Sequence, residues 1–379
     1  MPPDQRHSPP SVLICAGNLG GGGVQSHLTI LCRLLRRHGA GVTLVGSDRG
    51  WPAQTLADLQ SDGVRMRLPP AAICGFAKLR SAFAAAAAPL WARGDFTSLC
   101  NIGEGRLQLL FRKWVGRRTV SIYHEIVDAP KPDNLRGRCA LAADAVIANS
   151  AVVQTQFTSQ WPNMAVRVIP FLTASAPLSP PPLRPPVGDR PLRMTYLGRI
   201  VAHKRPHHLV RRWRQITAAP PLAPARLDVY GYDPDGRFIA EMRQTIAAEN
   251  LSDQITLHGS YVPSALDSIL SQSDVVILPS QYEGLPLSLV EAMQRGVPIV
   301  ACAAGGVAEF ADGNPDVVIT STDLDDFAAG LATMAAKLRA GQIDAVRLHH
   351  WAEFRYGYET VSKLWLDALL RPREFWKIP

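Results

Sequence analysis

Short apolar runs alternate with longer helical patterns along this chain, and the alternation restarts after a segment rich in proline. That segment, residues 174–191, contains seven prolines, and such a run continues neither a helix nor a central strand. On either side of it, runs such as SVLICAG at 11–17 and LRMTYLG at 192–198 are typical of buried strands. Strands that alternate with helices form parallel sheets with helices on both faces. The pattern therefore predicts an α/β fold of two doubly wound, Rossmann-like domains joined by a linker.

The same patterns predict where the domains begin and end. We expect a first domain over residues 1–173, a linker over 174–191 and a second domain over 192–350. The tail has helical periodicity from Trp351 to about Leu370, so we expect residues 351–379 to form a helix that packs back on the first domain. The remaining predicted elements are a helix over 24–38 and strands over 41–46, 96–102, 118–123, 225–231, 254–259, 274–280 and 297–302.

Composition excludes several classes of protein. With 47% hydrophobic and 19% charged residues among 379, the chain has enough apolar material for two packed cores and is not typical of a disordered protein. Its six cysteines form no C-x-x-C pair, which favours reduced thiols over a zinc site or a disulfide framework. The N-terminus is polar, and the uncharged residues at 81–92 are fewer than the roughly 20 that a membrane span needs. We therefore expect a cytoplasmic protein without a membrane-spanning segment.

The net charge of +8 is distributed unevenly. Residues 1–190 carry 21 Lys and Arg against 11 Asp and Glu, a net charge of +10, whereas residues 191–379 carry 19 against 21, a net charge of −2. The segment FRKWVGRR at 111–118 places cations among aromatics, as interfacial segments do, although a solvated strand edge is the alternative. This asymmetry predicts an anionic partner for the first half, and no nucleic-acid-binding fold is recognisable there.

Ligands of doubly wound sheets bind beyond the carboxyl ends of the strands, so the loops directly after strands are the candidate sites. The first such loop, residues 18–23, ends in four glycines and precedes a helix. Glycines let a backbone approach a ligand closely, and the free N–H groups at a helix start favour an anion. The spacing does not fit a dinucleotide fingerprint, and a flexible turn for packing remains the alternative.

A second loop, after the predicted strand at 192–198, contains Arg199 and Lys204. Arginine offers a planar fork for phosphate oxygens and lysine a mobile point charge, so together they suit a diphosphate. A solvated basic turn is the alternative.

A third loop follows the predicted strand at 274–280. It contains Glu283, and Pro286 marks the start of a helix whose second turn contains Glu291. On one helix these carboxylates would lie about 80° apart, so a loop followed by a helix would aim them more readily at one ligand. The amides around Leu287 and Ser288 would favour phosphate.

These motifs together resemble those of the retaining glycosyltransferases of family 4, and the likeness extends over nearly the whole chain. The family's Glu-x7-Glu signature resembles EGLPLSLVEAM at 283–293, which is followed by GVPIVA and then by GGVAE at 305–309. Its Gly-Arg motif with a downstream lysine resembles Gly198-Arg199 with Lys204, and its opening glycine-helix-glycine stretch resembles residues 22–42. The resemblance implies the GT-B architecture, in which two Rossmann-like domains face each other across a cleft.

The resemblance also implies how a nucleotide-sugar donor would be bound. Arg199 and Lys204 would neutralise its diphosphate, and Glu291 would accept hydrogen bonds from the ribose hydroxyls. Glu283 and the 284–288 backbone would hold the donor sugar and the distal phosphate, and the glycines before the first helix would close over that phosphate. The full set of implied donor-binding residues is Gly22, Gly23, Arg199, Lys204, Glu283, Gly284, Leu285, Leu287, Ser288 and Glu291.

The family's histidine-acid pair after a strand of the first domain resembles His124-Glu125 in SIYHEIVD. This implies that His124 contacts the donor sugar near the reacting carbon, whereas a structural role is the alternative for a lone histidine. The predicted catalytic residues are thus His124, Arg199, Lys204 and Glu283. The chain departs from the family at Arg205, where glycine is common.

Enzymes of this family retain the anomeric configuration, which is usually explained by attack on the face from which the diphosphate leaves. The leaving phosphate then takes the acceptor proton, and catalysis is electrostatic. Two Asp-x-Asp strings, 233–235 and 323–325, resemble metal-binding motifs, but we expect a turn and a helix start, because Arg199 and Lys204 already supply positive charge. We therefore predict neither a metal nor another cofactor.

The sequence thus predicts a retaining, metal-independent glycosyltransferase that moves a sugar from a nucleotide-diphosphate donor to a glycan or lipid-linked glycan, in cell-surface polysaccharide or glycolipid synthesis. Because acceptors of this family are often lipid-linked, we expect peripheral contact between the basic first domain and the inner face of the plasma membrane. Two alternatives remain, a GT-B nucleotide-sugar epimerase and a catalytically silent partner subunit.

Overall fold

A computed structural model describes residues 9–16, 23–46, 52–68, 96–102, 119–125, 134–183, 185–218 and 220–378, with the single positions 83, 86, 87, 90, 115 and 131. The chain divides into two compact units. The first comprises Met1–Ser175 and Glu359–Pro379, and the second comprises Ala176–Tyr358.

The first unit alternates strands with helices, as its sequence pattern predicts. Its sheet is parallel in every described pair, and the central strand is buried throughout Val12–Ala16 because helices cover both faces. The strands are β1 (Ser11–Ala16), β2 (Gly41–Gly46), β3 (Arg65–Arg67), β4 (Ser98–Ile102), β5 (Val120–Glu125), β6 (Ala145–Ala148) and β7 (Val166–Val168), in the sheet order β3-β2-β1-β4-β5-β6-β7. The helices are α1 (Gly23–Arg37), α2 (Ala53–Ser61), α3 (Leu135–Leu141), α4 (Ala151–Gln160), and at the chain's end α12 (Tyr358–Leu370) and α13 (Pro372–Trp376).

The second unit repeats this architecture around its own core. Apolar side chains of the sheet, among them Tyr196, Val229 and Ile277, pack against helical residues such as Trp213 and Phe327. The strands are β8 (Leu192–Leu197), β9 (Ala225–Tyr230), β10 (Ile255–Gly259), β11 (Val275–Leu278), β12 (Ile299–Cys302) and β13 (Val318–Thr320), in the parallel order β10-β9-β8-β11-β12-β13. The helices are α5 (Pro206–Arg211), α6 (Trp213–Ile216), α7 (Arg237–Ala248), α8 (Leu266–Gln272), α9 (Leu287–Met293), α10 (Leu324–Arg339) and α11 (Ala345–Tyr356).

The structure corrects two predicted boundaries. The expected single helix from Trp351 is broken at Gly357, whose backbone is extended, with φ −67° and ψ 157°. Helix α11 thus ends in the second unit, and only Glu359–Pro379 belongs to the first. The proline-rich segment is irregular in its described residues, but from Ala176 onward it belongs to the second unit rather than forming a free linker. Val187 shows why, since it is buried in that unit's core.

Four strands were not predicted: β3, β6, β7 and β13. Strands β3, β7 and β13 have only three residues each, too few for a periodic pattern to identify. Strand β6 has four residues, as do β11 and β12, which the sequence did predict. Among the described residues, the structure has no helix that combines the length and the apolar character needed to cross a membrane.

Candidate active site

The sheet order of the second unit creates a switch point between β8 and β11. β9 and β10 lie on one side of β8, and β11, β12 and β13 lie on the other. β8 and β11 are parallel neighbours, so their carboxyl ends lie side by side. In an open α/β sheet this crevice is where ligands bind. The two loops that the sequence predicts to bind a diphosphate and a sugar, 198–205 and 279–286, begin there.

An ion pair joins these two loops. Lys204 ends the 3-10 turn Ala202–Lys204, and its Nζ donates to Oε1 of Glu283 over 2.5 Å. The same oxygen accepts a hydrogen bond from Oγ of Ser280 at 2.7 Å. The Lys204 and Glu283 side chains are only 12% and 10% exposed. The pair therefore fixes the carboxylate, while the ammonium group keeps two further N–H donors for a ligand.

Arg199 follows β8 and is exposed. Within the described part of the chain its guanidinium makes no hydrogen bond or ion pair, so it is available to an anion. Its backbone carbonyl accepts a hydrogen bond of 2.7 Å from the hydroxyl of buried Tyr196, which anchors the loop. Burial raises the pKa of Tyr196, and the negative charge of Glu283 raises it further, so this hydroxyl keeps its proton and remains a donor.

Further contacts fix the loop that contains Glu283. The backbone N–H of Gln281 donates to the carbonyl of His203 at 2.7 Å, and the His203 and Tyr282 rings stack with centroids 4.3 Å apart. On the other side, Gly305 has a φ of +58°, and a Cβ there would lie 1.8 Å from the carbonyl oxygen of Glu283. Only glycine fits this position. The sequence singled out Gly305 by resemblance alone, without a reason for the glycine.

The predicted arrangement of a loop followed by a helix is present. Glu283 lies in the loop, Pro286 caps α9 and Glu291 lies within the helix. Leu287 and Ser288 are the first two residues of α9, where backbone N–H groups have no acceptor inside a helix, whereas the N–H of Leu289 donates to the carbonyl of Pro286 at 3.1 Å. Adjoining residues Gly284, Leu285 and Leu287 are buried, and Ser288 is half-buried.

Glu291 is a partly buried carboxyl with an unusual proton affinity. Burial raises its pKa to about 7, and Arg295 only partly opposes this effect. The Arg295 guanidinium donates through Nε to Asp267 at 2.5 Å and through Nη1 to the backbone carbonyl of Glu291 at 3.1 Å. Burial and then the negative charge of Glu291 raise the pKa of Tyr261. At neutral pH the carboxyl is therefore present in both protonated and ionised forms.

The structure assigns contacts to Arg205, which the sequence marked only as a departure from the family. Its backbone is left-handed, with φ +54° and ψ +30°, and its side chain is 7% exposed. Its guanidinium donates to backbone carbonyls of Pro279 and Thr322. The left-handed backbone accounts for a preference for glycine here, but no sequence pattern reveals that conformation for an arginine.

In the first unit, His124 lies at the carboxyl end of β5 and is fully buried. Aromatic rings surround it: the ring centroids of Phe171 and Trp365 lie 5.0 and 5.3 Å away, and that of His27 lies 6.3 Å away. Neither His124 ring nitrogen has a hydrogen-bond partner among the described residues, and burial lowers its pKa to about 3. The ring is therefore neutral and closed off from solvent. Its contact with a donor sugar stays a prediction.

His27 links the helix α1 to the same cluster. Its Nδ1 accepts a hydrogen bond of 3.0 Å from the N–H of Leu172, and Trp365 of α12 donates its indole N–H to the carbonyl of Pro170 at 2.8 Å. Gly23 begins α1, whereas Gly22 and all of the basic segment 111–118 except Val115 lie outside the described residues.

The two Asp-x-Asp strings have the structural roles that the sequence predicts. Asp233 accepts from the backbone N–H groups of Asp235 and Ile239, in a turn before α7, and Asp323 caps α10 by accepting from Asp325 and Asp326. Within the described ranges, no group of three or more histidine, cysteine or acidic side chains is arranged to hold a metal. Independence from metal stays a prediction.

Comparison with known proteins identifies the second unit. Residues 191–337 match the family described as glycosyl transferases group 1. The chain is 34% identical over 176 residues to a D-inositol 3-phosphate glycosyltransferase of Stackebrandtia nassauensis, which covers 43% of this chain and 40% of that protein. It is 24% identical over 248 residues to a GDP-mannose-dependent alpha-(1-6)-phosphatidylinositol monomannoside mannosyltransferase of Mycolicibacterium smegmatis, covering 61% and 63%. The chain thus spans about two fifths of the length of the first relative.

Solved structures extend the likeness to both units. Anabaena HepE, in complex with UDP and glucose, superposes with a TM-score of 0.70 at 18% identity, over 95% of this chain and 99% of that one. The lipopolysaccharide outer core galactosyltransferase WaaB superposes with a TM-score of 0.68 at 16% identity, over 96% and 99%. Residues 191–337 therefore match the group 1 glycosyltransferase family, and the chain has the GT-B fold, as the sequence predicted.

Proposed function

We propose that this chain is a retaining glycosyltransferase that moves a sugar from a nucleotide-diphosphate donor to a glycan or lipid-linked glycan acceptor. The observation that carries the proposal is the cluster at the β8–β11 switch point. The guanidinium of Arg199, which has no partner among the described residues, and the Lys204–Glu283 pair lie in the loops that begin there, and α9 follows the second loop. Cations suit a diphosphate, and carboxylates suit sugar hydroxyls.

In this proposal the donor lies along the two loops. The Arg199 fork and the remaining N–H donors of Lys204 bind the diphosphate, and the first-turn amides of α9 add to the positive potential. Glu283, fixed by Lys204 and Ser280, accepts from hydroxyls of the donor sugar. Glu291 in its ionised form accepts from the ribose hydroxyls. That HepE binds UDP and glucose on the same fold supports this class of donor.

The proposed reaction needs no nucleophile from the protein. The bond between the anomeric carbon and the diphosphate oxygen breaks, the acceptor oxygen forms the new bond on the same face, and its proton passes to a leaving phosphate oxygen. Negative charge grows on the diphosphate as it departs, so Arg199 and Lys204 bind the transition state more tightly than the ground state. Neither residue requires a metal to do so.

Binding of nucleotides tests the proposal directly. UDP, GDP and ADP, with their sugar derivatives, are screened by thermal shift, and a ligand at a concentration of 100 Kd should stabilise the fold by about 2.7 kcal/mol. Lys204→Ala, with a dissociation constant about tenfold higher or more, should lower this stabilisation to about 1.4 kcal/mol or less. The matched control is Arg226→Ala, which removes an exposed arginine near the start of β9, away from the switch point, and should leave the shift unchanged. No shift with any nucleotide would refute the proposal.

Turnover separates the proposal from the two alternatives. Transfer of labelled sugar from the bound donor to a glycan or lipid-linked pool, with the configuration read by NMR, supports a retaining transferase. Release of free epimerised sugar without an acceptor would identify an epimerase. Nucleotide binding with no turnover on any acceptor pool would identify a silent partner subunit.

We also propose that the first half contacts an anionic membrane surface where a lipid-linked acceptor would lie. Its net charge of +10 and the segment FRKWVGRR support this contact. Co-sedimentation with phosphatidylglycerol vesicles, weakened by salt and absent with phosphatidylcholine vesicles, is the expected result. Equal sedimentation with both vesicles, or none with either, would refute it.

A further inference from the structure

Arg205 occupies a position that is unfavourable for an arginine in two ways. Its φ of +54° lies in the left-handed region, where a residue with a Cβ costs about 1–2 kcal/mol. Its side chain is also buried, although arginine is rarely buried without a charged partner. Such a combination persists only where surrounding contacts compensate for it, and it is concentrated at functional sites. The contacts of Arg205 therefore indicate what the arginine does.

The Arg205 guanidinium connects the ends of three neighbouring strands. Nε donates to the carbonyl of Pro279, directly after β11, at 2.6 Å. Nη2 donates to the carbonyl of Thr322, two residues after β13, at 2.9 Å, and lies 3.6 Å from Sγ of Cys302, the last residue of β12. Within the described residues Arg205 forms no ion pair with a carboxylate. Its charge is therefore used to hold backbone carbonyls together.

Arg205 directly follows Lys204, and Pro279 directly precedes Ser280 in the loop that leads to Glu283. The hydrogen bond from Arg205 to Pro279 thus joins the two loops on their buried side. Their other ties, the Gln281–His203 hydrogen bond and the His203–Tyr282 stack, lie toward solvent, since Tyr282 is 54% exposed. Without the guanidinium, the remaining contacts that the described residues show between the two loops are these outer ones and the Lys204–Glu283 pair itself.

We infer that Arg205 is a positioning residue, which holds the Lys204 turn against the Glu283 loop so that Lys204 is placed for the donor diphosphate. This inference rests on the proposed function. Arginine suits the role because its planar fork reaches two carbonyls from different loops at once, whereas lysine presents a single point charge. Arg205 itself does not contact the donor, so its effect passes through Lys204.

A double-mutant cycle tests this path. Glycine at 205 tolerates the left-handed backbone and removes the guanidinium, so Arg205→Gly isolates the side chain. The dissociation constant of the nucleoside diphosphate that binds the wild type is measured for Arg205→Gly, Lys204→Ala and the double variant. We expect increases of about fivefold for Arg205→Gly and about tenfold or more for Lys204→Ala. The double variant should bind within about twofold of Lys204→Ala alone, because the path through Lys204 is already removed.

Lys377→Gly is the matched control. It removes a cation from an exposed position whose φ is also +54°, and it should leave the dissociation constant unchanged. Should Arg205→Gly fail to fold, Arg205→Lys replaces it in the same cycle, with a smaller expected increase of about threefold and again none on the Lys204→Ala background.

Each result decides the inference. Full additivity in the double variant, or unchanged affinity in Arg205→Gly while Lys204→Ala is weakened, would overturn the positioning role and leave the proposed function standing. Equal affinity of Lys204→Ala and the wild type would instead overturn the assignment of the donor site, and the positioning role with it.

Discussion

The buried imidazole of His124 makes the stability of the first unit depend on pH in a way that one substitution isolates. Burial lowers its pKa from 6.5 to about 3. Between these values the unfolded chain takes up a proton that the folded unit excludes, so the free energy of unfolding falls as pH falls through this window. Above pH 6.5 both states are neutral and the penalty is absent. His124→Phe removes the titration and keeps an aromatic ring beside Phe171 and Trp365.

The magnitude follows from the two pKa values. Lowering the pH from 7.5 to 5.0 should cost the folded unit about 2 kcal/mol at His124. Glu291 acts with the opposite sign in the second unit, because its pKa is raised to about 7 and its protonation favours the folded state as pH falls. A comparison of wild type with His124→Phe cancels the effect of Glu291. It cancels most of the effect of His27, whose pKa is lowered first by burial and then by His124 itself.

Urea unfolding at pH 7.5 and 5.0, read by hydrogen exchange of peptides from β5 and α12, reports on the first unit alone. At pH 7.5 His124→Phe should be no less stable than wild type, because both ring nitrogens it removes lack partners among the described residues. At pH 5.0 it should be the more stable protein by about 2 kcal/mol. Equal pH dependence of the two proteins would refute the burial of a neutral His124.

Three further predictions follow from other contacts. Lys204→Ala should lower turnover at least tenfold with the fold unchanged, because it removes a cation that would stabilise the departing diphosphate. Unaltered kinetics would mean that the loop is misassigned. The dissociation constant of a nucleotide-sugar should rise about tenfold from pH 8 to pH 6 as Glu291 is protonated, and Glu291→Gln should flatten this profile; a flat wild-type profile would remove Glu291 from the ribose. Arg347→Ala should destabilise the second unit by about 3 kcal/mol in urea unfolding. The reason is that the Asp316 side chain is 1% exposed and would lose both hydrogen bonds from the Arg347 guanidinium. A loss of stability below about 1 kcal/mol would refute this reasoning.

Most of the fold could be predicted because its long elements have clear periods. The helix predicted over 24–38 and the strand predicted over 41–46 agree with α1 and β2 to within one residue. The strands β3, β7 and β13 have three residues each, and so short a segment has no measurable period. The break at Gly357 was missed for a different reason. The apolar spacing continues through it, so the periodic pattern does not reveal that the backbone of Gly357 is extended.

The candidate site could be predicted in its residues but not in its contacts. The loops after strands indicated Arg199, Lys204 and Glu283 as candidates. The ion pair between Lys204 and Glu283, which are 79 positions apart, depends on the order of the strands in the sheet, and no local sequence pattern contains that order. The burial of His124 depends on Trp365, which comes from the last part of the chain. The position of His124 at a strand end predicts an accessible ring, whereas in the structure Trp365 of α12 packs against that ring.

The location of the charges explains how a domain without a positive net charge could select a diphosphate sugar. The second unit, residues 176–358, has 17 Lys and Arg against 19 Asp and Glu, a net charge of −2, so attraction for an anion has to come from local placement. The cations Arg199, Lys204 and Arg205 follow β8, whereas Glu283 and Glu291 follow β11 or lie in α9. An inorganic anion that approached Lys204 would also meet the Glu283 carboxylate, and the two negative charges would repel. A ligand with hydroxyls beside its phosphates satisfies both groups, so pairing lysine with glutamate favours a sugar diphosphate over phosphate alone.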